Sequence, residues 1–438
     1  MIWAIPGIIL GIITFHCSTG FVLLSITGAI FLMVFFRKPS LLLYLSILLV
    51  PLLPSIGRYT TIELKGLYYS INIGGILNIG LTLLVLALLI LRGKVSNHRL
   101  SLPISLFLGI SLLSIIYSPS PFMSLRQWFR YAMPMMLYFL ILEIFTETEG
   151  RRKILPIVLL SSIIPVFAGY YQLFMGDTPH IVSGLNRIYG TLGHPNPYAT
   201  FLVVIMLLSI FLYFNPPAGA RAWPYLCYFW ALLPLLFFTY TRIAWGAFFL
   251  STSLLGILRY RKFYFALFLA GILILLILPD VLNMLATRLT PDASVWQRFD
   301  LNAFAIQLFK ESPIVGQGIG SYQLLSKSLF YTPYSSYGRE VGITPHNDYL
   351  RFLSEVGILG LSAFLFMIYS ALRVSFKVFH LEDLNKKNYG AFLISLIAAI
   401  LSIGITDQGF EYASLYFFIL LAIGESMLNR GEDLSEKD

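Results

Sequence analysis

The stretch from Thr344 to Leu372 reads TPHNDYLRFLSEVGILGLSAFLFMIYSAL and decides the class of fold. Its apolar part, residues 350–372, is long enough to cross a bilayer as a helix, for which roughly 17 to 25 residues are needed. Similar runs recur along the whole chain, in which 58% of residues are hydrophobic and 12% are charged. Because backbone groups in lipid must pair within their own segment, these runs are expected to be helices. The sequence therefore predicts an all-α integral membrane protein and excludes a soluble domain.

A polytopic bundle of about 12 to 14 transmembrane helices is expected from the apolar runs. Basic residues cluster in alternate short loops, which the positive-inside rule places in the cytoplasm together with both termini. The candidate spans are 2–15, 20–36, 40–55, 73–91, 101–117, 133–146, 154–174, 197–214, 223–240, 243–258, 263–279, 350–372, 389–406 and 409–428.

The same pattern predicts the domain organisation. A long segment that is too extended for a simple connection separates two groups of spans, and we expect it to form an extracytoplasmic cap. The predicted regions are N-terminal transmembrane helices over 1–279 with an outward loop at 175–196, a large periplasmic loop over 280–349, C-terminal transmembrane helices over 350–429 and a cytoplasmic tail over 430–438.

The large loop contains a predicted amphipathic helix from Trp296 to Glu311, ended by Ser312-Pro313. A turn is predicted at the glycines between residues 316 and 320. This glycine run resembles a nucleotide phosphate loop only weakly, since no strand precedes it and no Lys-Ser/Thr follows it. The apolar face of the helix is predicted to carry Phe299, Ala303, Ile306 and Phe309.

His346 is the first candidate for chemistry, because an imidazole can exchange protons near neutral pH and this one lies at the mouth of a span. Asn347 is expected to fix the local backbone, and Asp348 is placed to orient the ring. Gly357 and Gly360 give the following helix a small-residue face for close packing. A purely structural role for His346, at the start of the helix, stays open.

Two arginines offer guanidinium groups that suit a phosphate-bearing ligand. Arg242 lies between two spans with almost no loop between them. A charge so close to hydrocarbon is energetically costly, which indicates that Arg242 has a function. The alternative is that it reaches the outer interface beside Trp245. Arg298 lies early in the large loop. The alternative to a ligand-binding role is that Arg298 lies on the solvated face of the loop helix.

The segment from Asn186 to Pro197 is a further polar cluster and contains Arg187, His194 and Asn196. Its glycines and prolines interrupt any helix and lead into a span, which is typical of a re-entrant or substrate-lining loop. A simple turn in which Asn196 caps the next helix is the open alternative.

Other polar residues are given no catalytic role. Arg126 and Arg130 predict an amphipathic helix in the membrane interface. Asp407 and Glu411 are expected to be solvated at an outward turn. The two cysteines do not form a pair in an outward loop, so a disulfide framework is not expected. The net charge of +9 is spread over loops, which indicates contact with anionic membrane lipids and no nucleic-acid partner.

These residues resemble the bacterial O-antigen ligase and O-antigen polymerase superfamily of membrane glycosyltransferases. The ligase pattern is His, then Asn, Ser or Gln, nine residues, Gly, two residues, and Gly, Thr or Tyr, and it is similar to His346-Asn347 followed by Gly357 and Gly360. Arg242 after Thr241, and Arg298, are similar to two further functional arginines of the family. The likeness covers roughly residues 180–370, including the outward stretch 187–196.

The resemblance implies a metal-independent, inverting transfer of a glycan from an undecaprenyl diphosphate carrier to an acceptor hydroxyl, at the periplasmic face of the inner membrane and without a cofactor. It implies that His346 is the base. The acceptor is lipid A core in a ligase or another lipid-linked repeat in a polymerase, and the histidine pattern favours the ligase. A cluster of acidic residues suited to a divalent ion is missing from the outward loops, in agreement with metal independence.

The implied roles of the other residues depend on their meeting His346 in one outward cavity open to lipid. The diphosphate is assigned to Arg242, Arg298 and Arg187, and supporting positions are assigned to Asn347, Asp348, His194 and Asn196. Two alternatives of another class are a transporter or flippase and a noncatalytic scaffold. The chain shows no convincing internal repeat and no pair of interrupted helices of the transporter kind.

Overall fold

The computed structural model describes residues 37–55, 62–63, 70–71, 73–92, 98–144, 153–176, 178–182, 185–277, 293–329 and 344–428. Over these residues the chain is predominantly α-helical, as predicted. Two short antiparallel ribbons interrupt the helices, and a 3₁₀ turn spans Val50–Leu52. The predicted spans 2–15 and 20–36, the tail 430–438 and Cys17 lie outside the described residues.

The helices and strands follow one another in a simple order. The strands are β1 Ile62–Glu63 paired with β2 Ser70–Ile71, and β3 Ile181–Val182 paired with β4 Leu185–Asn186. The helices are α1 Pro39–Leu49, α2 Ile73–Arg92, α3 Ser101–Leu113, α4 Pro121–Ile144, α5 Ile154–Leu160, α6 Ile163–Met175, α7 Pro195–Phe214, α8 Trp223–Phe238, α9 Arg242–Leu258, α10 Arg261–Ile277, α11 Ala293–Glu311, α12 Tyr322–Leu329, α13 Asp348–Phe379, α14 Leu384–Gly404 and α15 Gly409–Ser426.

Four helical segments in the described part of the chain are long and apolar enough to cross a membrane: Ile154–Met175, α7, α13 and α14. Further apolar helices are shorter. Large apolar side chains such as Ile90, Phe167 and Phe174 are exposed on the outside of the bundle. Such an exterior suits contact with hydrocarbon, where lipid replaces water around the helices. The chain is an integral membrane protein.

The centre of the bundle is formed by α7, α14 and α15, which are buried around most of their circumference. A helix that is apolar on all sides is typical of a fully surrounded position. Around this centre, α14 packs against α9 and α13, α15 packs against α4, and α7 packs against α8. In the turn that joins α14 to α15, the polar residues Asp407 and Gln408 are buried, whereas Ile405 is exposed.

Helix α13 is broken at Gly357, whose φ of 65° and ψ of −167° are not helical. The break removes helical partners from nearby backbone groups, which must then bond elsewhere. The amides of Ile358 and Leu359 donate to the carbonyls of Pro313 and Ile314 at 3.0 and 3.3 Å. The segment after α11 thus docks on α13 at the glycine of the histidine pattern.

The predicted glycine turn completes this docking. Gly316, Gly318 and Gly320 have φ values of 71°, 100° and 75°, in the left-handed region that glycine adopts without strain. The Gly318 amide donates to the Glu355 carbonyl at 2.7 Å. A Cβ at Gly316 would lie 2.4 Å from the carbonyl carbon of Glu355, so only glycine permits the approach. The predicted turn is confirmed, and its purpose is to hold the loop against α13.

The loop helix is confirmed as α11, which ends at Glu311, but the predicted apolar face is not the side that packs against the protein. Phe299 and Ile306 are 62% and 41% exposed. The helix carries apolar residues at helical spacing on two sides. Contact with α12 and α13 buries the side opposite to the predicted one. The residues buried there are Leu301, Phe304, Ala305 and Leu308, packed with Tyr322 and Leu350.

The docking of the loop on α13 gives a prediction for Gly357→Ala. A Cβ would lie 2.2 Å from the Ile314 carbonyl oxygen, and the backbone conformation is nearly exclusive to glycine, at a cost of about 3 kcal/mol. We expect the Tm of the purified protein in detergent to fall by several degrees. Gly109→Ala in α3 is the control, because no atom lies within 4 Å of its Cβ position. An unchanged Tm for Gly357→Ala would contradict the packing described.

Candidate functional site

A cavity of about 190 Å³ brings the predicted site residues together, and we call it the histidine cavity. The members that sequence analysis proposed come from distant parts of the chain and meet here as expected. The lining residues are Arg187, His194, Asn196, Tyr240, Thr241, Arg242, Ile243, Gln297, Arg298 and His346. Asn347 and Asp348 lie beside the cavity and are not among its lining residues.

Three helices begin at this cavity. Helix α7 starts after its cap His194, α9 starts at Arg242 after Thr241, and α13 starts two residues after His346. Helix N-termini present unpaired amides and a partial positive charge, which favour anions. Three arginines line the cavity, and its described lining includes no carboxylate. The cavity is therefore suited to a negatively charged group. In the described part of the chain, no three His, Cys, Asp or Glu side chains are grouped to hold a metal ion.

The imidazole of His346 is held by Asp407, which follows α14. Nδ1 of the ring lies 3.1 Å from Oδ1 of Asp407. The carboxylate is fully buried, whereas the His346 side chain is 25% exposed. The expectation that Asp407 is solvated is wrong, because the turn between α14 and α15 is enclosed by surrounding helices. The expectation that Asp348 orients the ring is also wrong, since Asp407 makes that contact.

Asp407 remains ionised in this buried position. Burial alone would raise its pKa, but the His346 ring, the charge of Arg298 and the Gln408 amide together lower the pKa to about 2. An ionised carboxylate only accepts hydrogen bonds, so Nδ1 of His346 carries the proton that it donates. In the neutral ring Nε2 is then unprotonated and available to accept a proton.

Asn196 connects this pair to Arg187. Its Nδ2 donates to Oδ2 of Asp407 at 2.5 Å, and its Oδ1 accepts from Nη2 of Arg187 at 2.8 Å. Arg187 also donates to the Thr239 carbonyl at 2.8 Å and to Oγ1 of Thr241 at 2.9 Å. The loop before α7, the turn before α9 and the turn after α14 are thus joined by one polar network.

His194, not Asn196, is the residue that caps α7. Its Nδ1 accepts from the Asn196 amide at 3.2 Å, so the alternative in which Asn196 is the cap is wrong. Burial, Arg187 and His180 lower the pKa of His194 to about 3. The ring is therefore neutral near pH 7, and with Nδ1 accepting, its proton is on Nε2. It contributes a neutral donor beside the arginines.

Arg242 is presented by a strained turn. Tyr240 has a φ of 50° and is the one described residue other than glycine with a positive φ. Such a conformation costs about 1 to 3 kcal/mol and persists where packing imposes it. The Tyr240 ring packs against Phe237 and Phe238, with centroids 6.2 and 6.0 Å away. Trp245, which the alternative interpretation places beside Arg242 at the outer interface, donates to the Leu236 carbonyl at 3.1 Å.

Arg298 reaches the cavity from the large loop. It lies on α11, whose other side packs against α12 and α13, and Gln297 beside it also lines the cavity. Its position over the cavity therefore depends on the glycine-mediated docking of the loop.

Asn347 and Asp348 have structural contacts. The Asn347 side chain caps α13 by accepting from the Leu350 amide at 2.9 Å and donates to the Ile405 carbonyl at 2.8 Å. Asp348 is buried and accepts from the Phe410 amide at 2.8 Å. Both residues fix the start of α13 against the α14–α15 turn, and hence the position of His346.

The helix predicted at Arg126 and Arg130 is confirmed as part of α4, which continues to Ile144 instead of ending before a separate span. Arg130 donates to Glu411 at 2.5 Å, and Arg351 donates to the other oxygen of the same carboxylate. Glu411 is 9% exposed, so the expectation that it is solvated is also wrong. Glu411 on α15 therefore neutralises arginines that come from two other helices, α4 and α13.

Asp407 is the main residue that sequence reasoning missed. It lies in a very short turn between two apolar runs, where an ionisable group is costly and hence usually functional. That reasoning identified Arg242 and applies equally to Asp407. Tyr412 also contacts this carboxylate, with its hydroxyl 3.4 Å from Oδ1 of Asp407, but an uncharged residue inside an apolar run gives no sequence indication of this role.

Part of the chain matches a known protein family. Residues 227–365, from α8 into α13, match the model of the family described as O-antigen ligase. No curated protein matches the chain. The matched segment contains Arg242, Arg298, His346, Gly357 and Gly360. The resemblance of this chain to the O-antigen ligase and polymerase superfamily is thereby confirmed.

Proposed function

We propose that this protein transfers a glycan from an undecaprenyl diphosphate carrier to the hydroxyl of an acceptor, at the periplasmic face of the inner membrane. The observation that carries the proposal is the meeting of the His346–Asp407 pair with Arg242, Arg298 and Arg187 at one cavity. Displacement of a diphosphate by a hydroxyl requires two things: a base that accepts the hydroxyl proton, and positive charges that bind the anionic leaving group.

In the proposed reaction, Nε2 of His346 accepts the proton of the acceptor hydroxyl. The hydroxyl oxygen forms a bond to the anomeric carbon of the glycan. The bond from that carbon to the diphosphate oxygen breaks, and its electron pair leaves with the diphosphate. A single displacement of this kind inverts the anomeric configuration, and we propose that it proceeds without a metal ion.

The arginines act on the leaving group. Arg242 and Arg298 line the cavity and would stabilise the charge that develops on the diphosphate, together with the N-terminal amides of α9. Arg187 adds a third positive charge and holds Asn196 and Thr241 in place. His194 adds a neutral donor.

We favour a ligase with lipid A core as acceptor over a polymerase that joins lipid-linked repeats, because of the histidine pattern. Deletion of the gene followed by analysis of surface glycan separates the two. Uncapped core with long lipid-linked polymer is expected for a ligase, whereas core that carries a single repeat would identify a polymerase.

We expect His346→Ala to reduce glycan transfer by about 10² to 10⁴-fold, because it removes the proton acceptor that the described lining of the histidine cavity provides. The measurement is transfer by purified protein in liposomes that contain lipid-linked glycan and acceptor. His380→Ala at the exposed end of α13 is the control and should retain activity. Full activity of His346→Ala, or translocation of the glycan without transfer, would refute the enzyme.

Asp407→Asn tests the positioning of His346. The folded pKa of about 2 lies below the ordinary carboxyl value of about 3.9, so ionised Asp407 stabilises the fold above about pH 4 and loses this effect as the pH falls towards 2. The variant should therefore have a lower Tm than wild type at pH 7, with the difference shrinking below pH 4. We also expect kcat to fall at least about tenfold, because the ring loses its ionised partner.

Asp383→Asn is the matched control for this variant. Asp383 is exposed and caps α14 by accepting from the Lys386 amide, a role that asparagine fills equally well. A Tm difference for Asp407→Asn that stays constant between pH 7 and pH 3 would contradict the buried charge.

Arg242→Gln and Arg298→Gln should each lower kcat/KM for the lipid diphosphate donor by about 10² to 10³-fold, since each removes a charge that faces the leaving group. The KM for the acceptor should change little. Exposed Arg221→Gln, in the loop between α7 and α8, is the control. The assignment would be wrong if either variant raised the KM for the acceptor and left the donor unaffected.

A further inference from the structure

A second cavity, of about 390 Å³, lies among α2, α4, α7, α15 and the 3₁₀ turn that follows α1, and we call it the Arg126 cavity. Its size falls in the range of small-molecule sites, about 300 to 1,000 Å³. It is linked to the histidine cavity through Tyr412, which lines it and whose hydroxyl lies 3.4 Å from Oδ1 of Asp407. Pro197, next to Asn196, also lines it.

Arg126 brings an unmatched positive charge to this cavity. Within the described part of the chain it has no hydrogen bond or ion pair, although its side chain is partly buried. Its neighbour Arg130 is paired with Glu411, and Arg351 bonds both Glu411 and Glu355. Glu411 already accepts from both Arg130 and Arg351 and acts on Arg126 only at longer range, so Arg126 is the member of this arginine group to which no described residue is bonded. A partly desolvated cation without a partner favours an anionic ligand.

Asn78 supplies an independent observation. Its Oδ1 is buried and accepts no hydrogen bond from any described residue, yet the side chain lines the same cavity. A buried polar atom without a partner is costly, about 1 to 3 kcal/mol. A ligand that carries a hydroxyl beside its anionic group would satisfy both Asn78 and Arg126.

The remaining walls are largely apolar and include Met133, Pro134, Phe201 and Leu415. Oγ1 of Thr191 donates to the carbonyl of the lining residue Pro51 at 2.8 Å, which joins the walls at Pro51 and Leu192. A cavity with a cation at one side and apolar helices at the other matches an amphiphile, with its head group at Arg126 and its hydrocarbon among the helices.

We propose that the Arg126 cavity binds the phosphate group of a second membrane amphiphile, whose head group also carries hydroxyls, and that this amphiphile is the acceptor. The binding site stands on Arg126 and Asn78, whereas the role as acceptor depends on the function proposed above. Tyr412 and Asp407 lie between the cavity and His346, so an acceptor held there is next to the histidine cavity. Donor and acceptor would then occupy separate, adjoining cavities.

Equilibrium binding to the purified full-length protein in detergent tests the site. The probes are an acylated glucosamine disaccharide that carries phosphate groups and its enzymatically dephosphorylated form. We expect the phosphorylated lipid to bind wild type at least about tenfold more tightly, and Arg126→Gln to lose this preference. Arg126→Lys should retain most of it, and Arg221→Gln should match wild type. Preference for the phosphorylated lipid in Arg126→Gln would overturn the proposal.

Two further measurements separate the possible failures. Competition by inorganic phosphate at the concentration of the lipid would identify a site for soluble phosphate and overturn the proposal that the ligand is an amphiphile.

The second measurement is thermal stability. Arg126 has no bonded partner among the described residues and stands four residues from the like charge of Arg130, so Arg126→Gln should not lower the Tm. A Tm lowered by several degrees would assign Arg126 a structural role instead.

The kinetic arm tests the role as acceptor. Arg126→Gln should raise the KM for the phosphorylated acceptor about tenfold and leave the KM for the donor unchanged. If His346→Ala transfers glycan normally, the proposed function fails while the binding result still decides the site. If transfer requires His346 but the KM for the acceptor is unaffected by Arg126→Gln, the acceptor assignment alone fails.

Discussion

The arrangement depends on one buried carboxylate. Asp407 is fully enclosed and ionised, and a charge in such a position is stable only when it is paired and hydrogen-bonded. Its partners His346 and Asn196 come from the approach to α13 and the first turn of α7, while Asp407 itself follows α14. The contacts that satisfy this charge therefore also fix where the imidazole lies relative to Arg187 and the start of α9. Stability and the geometry of the site are set by the same bonds.

The class of fold and many residues of the site can be predicted from the sequence, because both depend on local chemistry. Apolar runs predict helices regardless of their neighbours, and Arg242 between two spans signals a use for its charge. Asp407 was misread because the depth of a short turn depends on how neighbouring helices pack, which no local pattern states. Asp348 was the natural guess for orienting His346, being two residues away, but as the first residue of α13 its carboxylate faces the Phe410 amide.

The large loop shows a second limit of sequence reasoning. Its helix was predicted correctly, yet two faces of α11 have helical apolar spacing, and only contact with Tyr322 and Leu350 selects between them. The glycines, by contrast, were informative. Gly316 and Gly357 allow two backbone segments to approach within bonding distance, which ties Arg298 on the loop to the helix that follows His346. The glycine of the histidine pattern is thus a docking point for the part of the site that comes from the loop.

We propose that the three helix N-termini and the arginines of the histidine cavity hold the diphosphate of a lipid carrier beside His346. A cryo-electron microscopy map of the protein in a lipid nanodisc with undecaprenyl diphosphate is the decisive measurement. We expect phosphate density between Arg242 and Arg298, at the first turn of α9 and within reach of the His346 ring. Phosphate density at another surface of the protein, with the histidine cavity empty at saturating ligand, would contradict it.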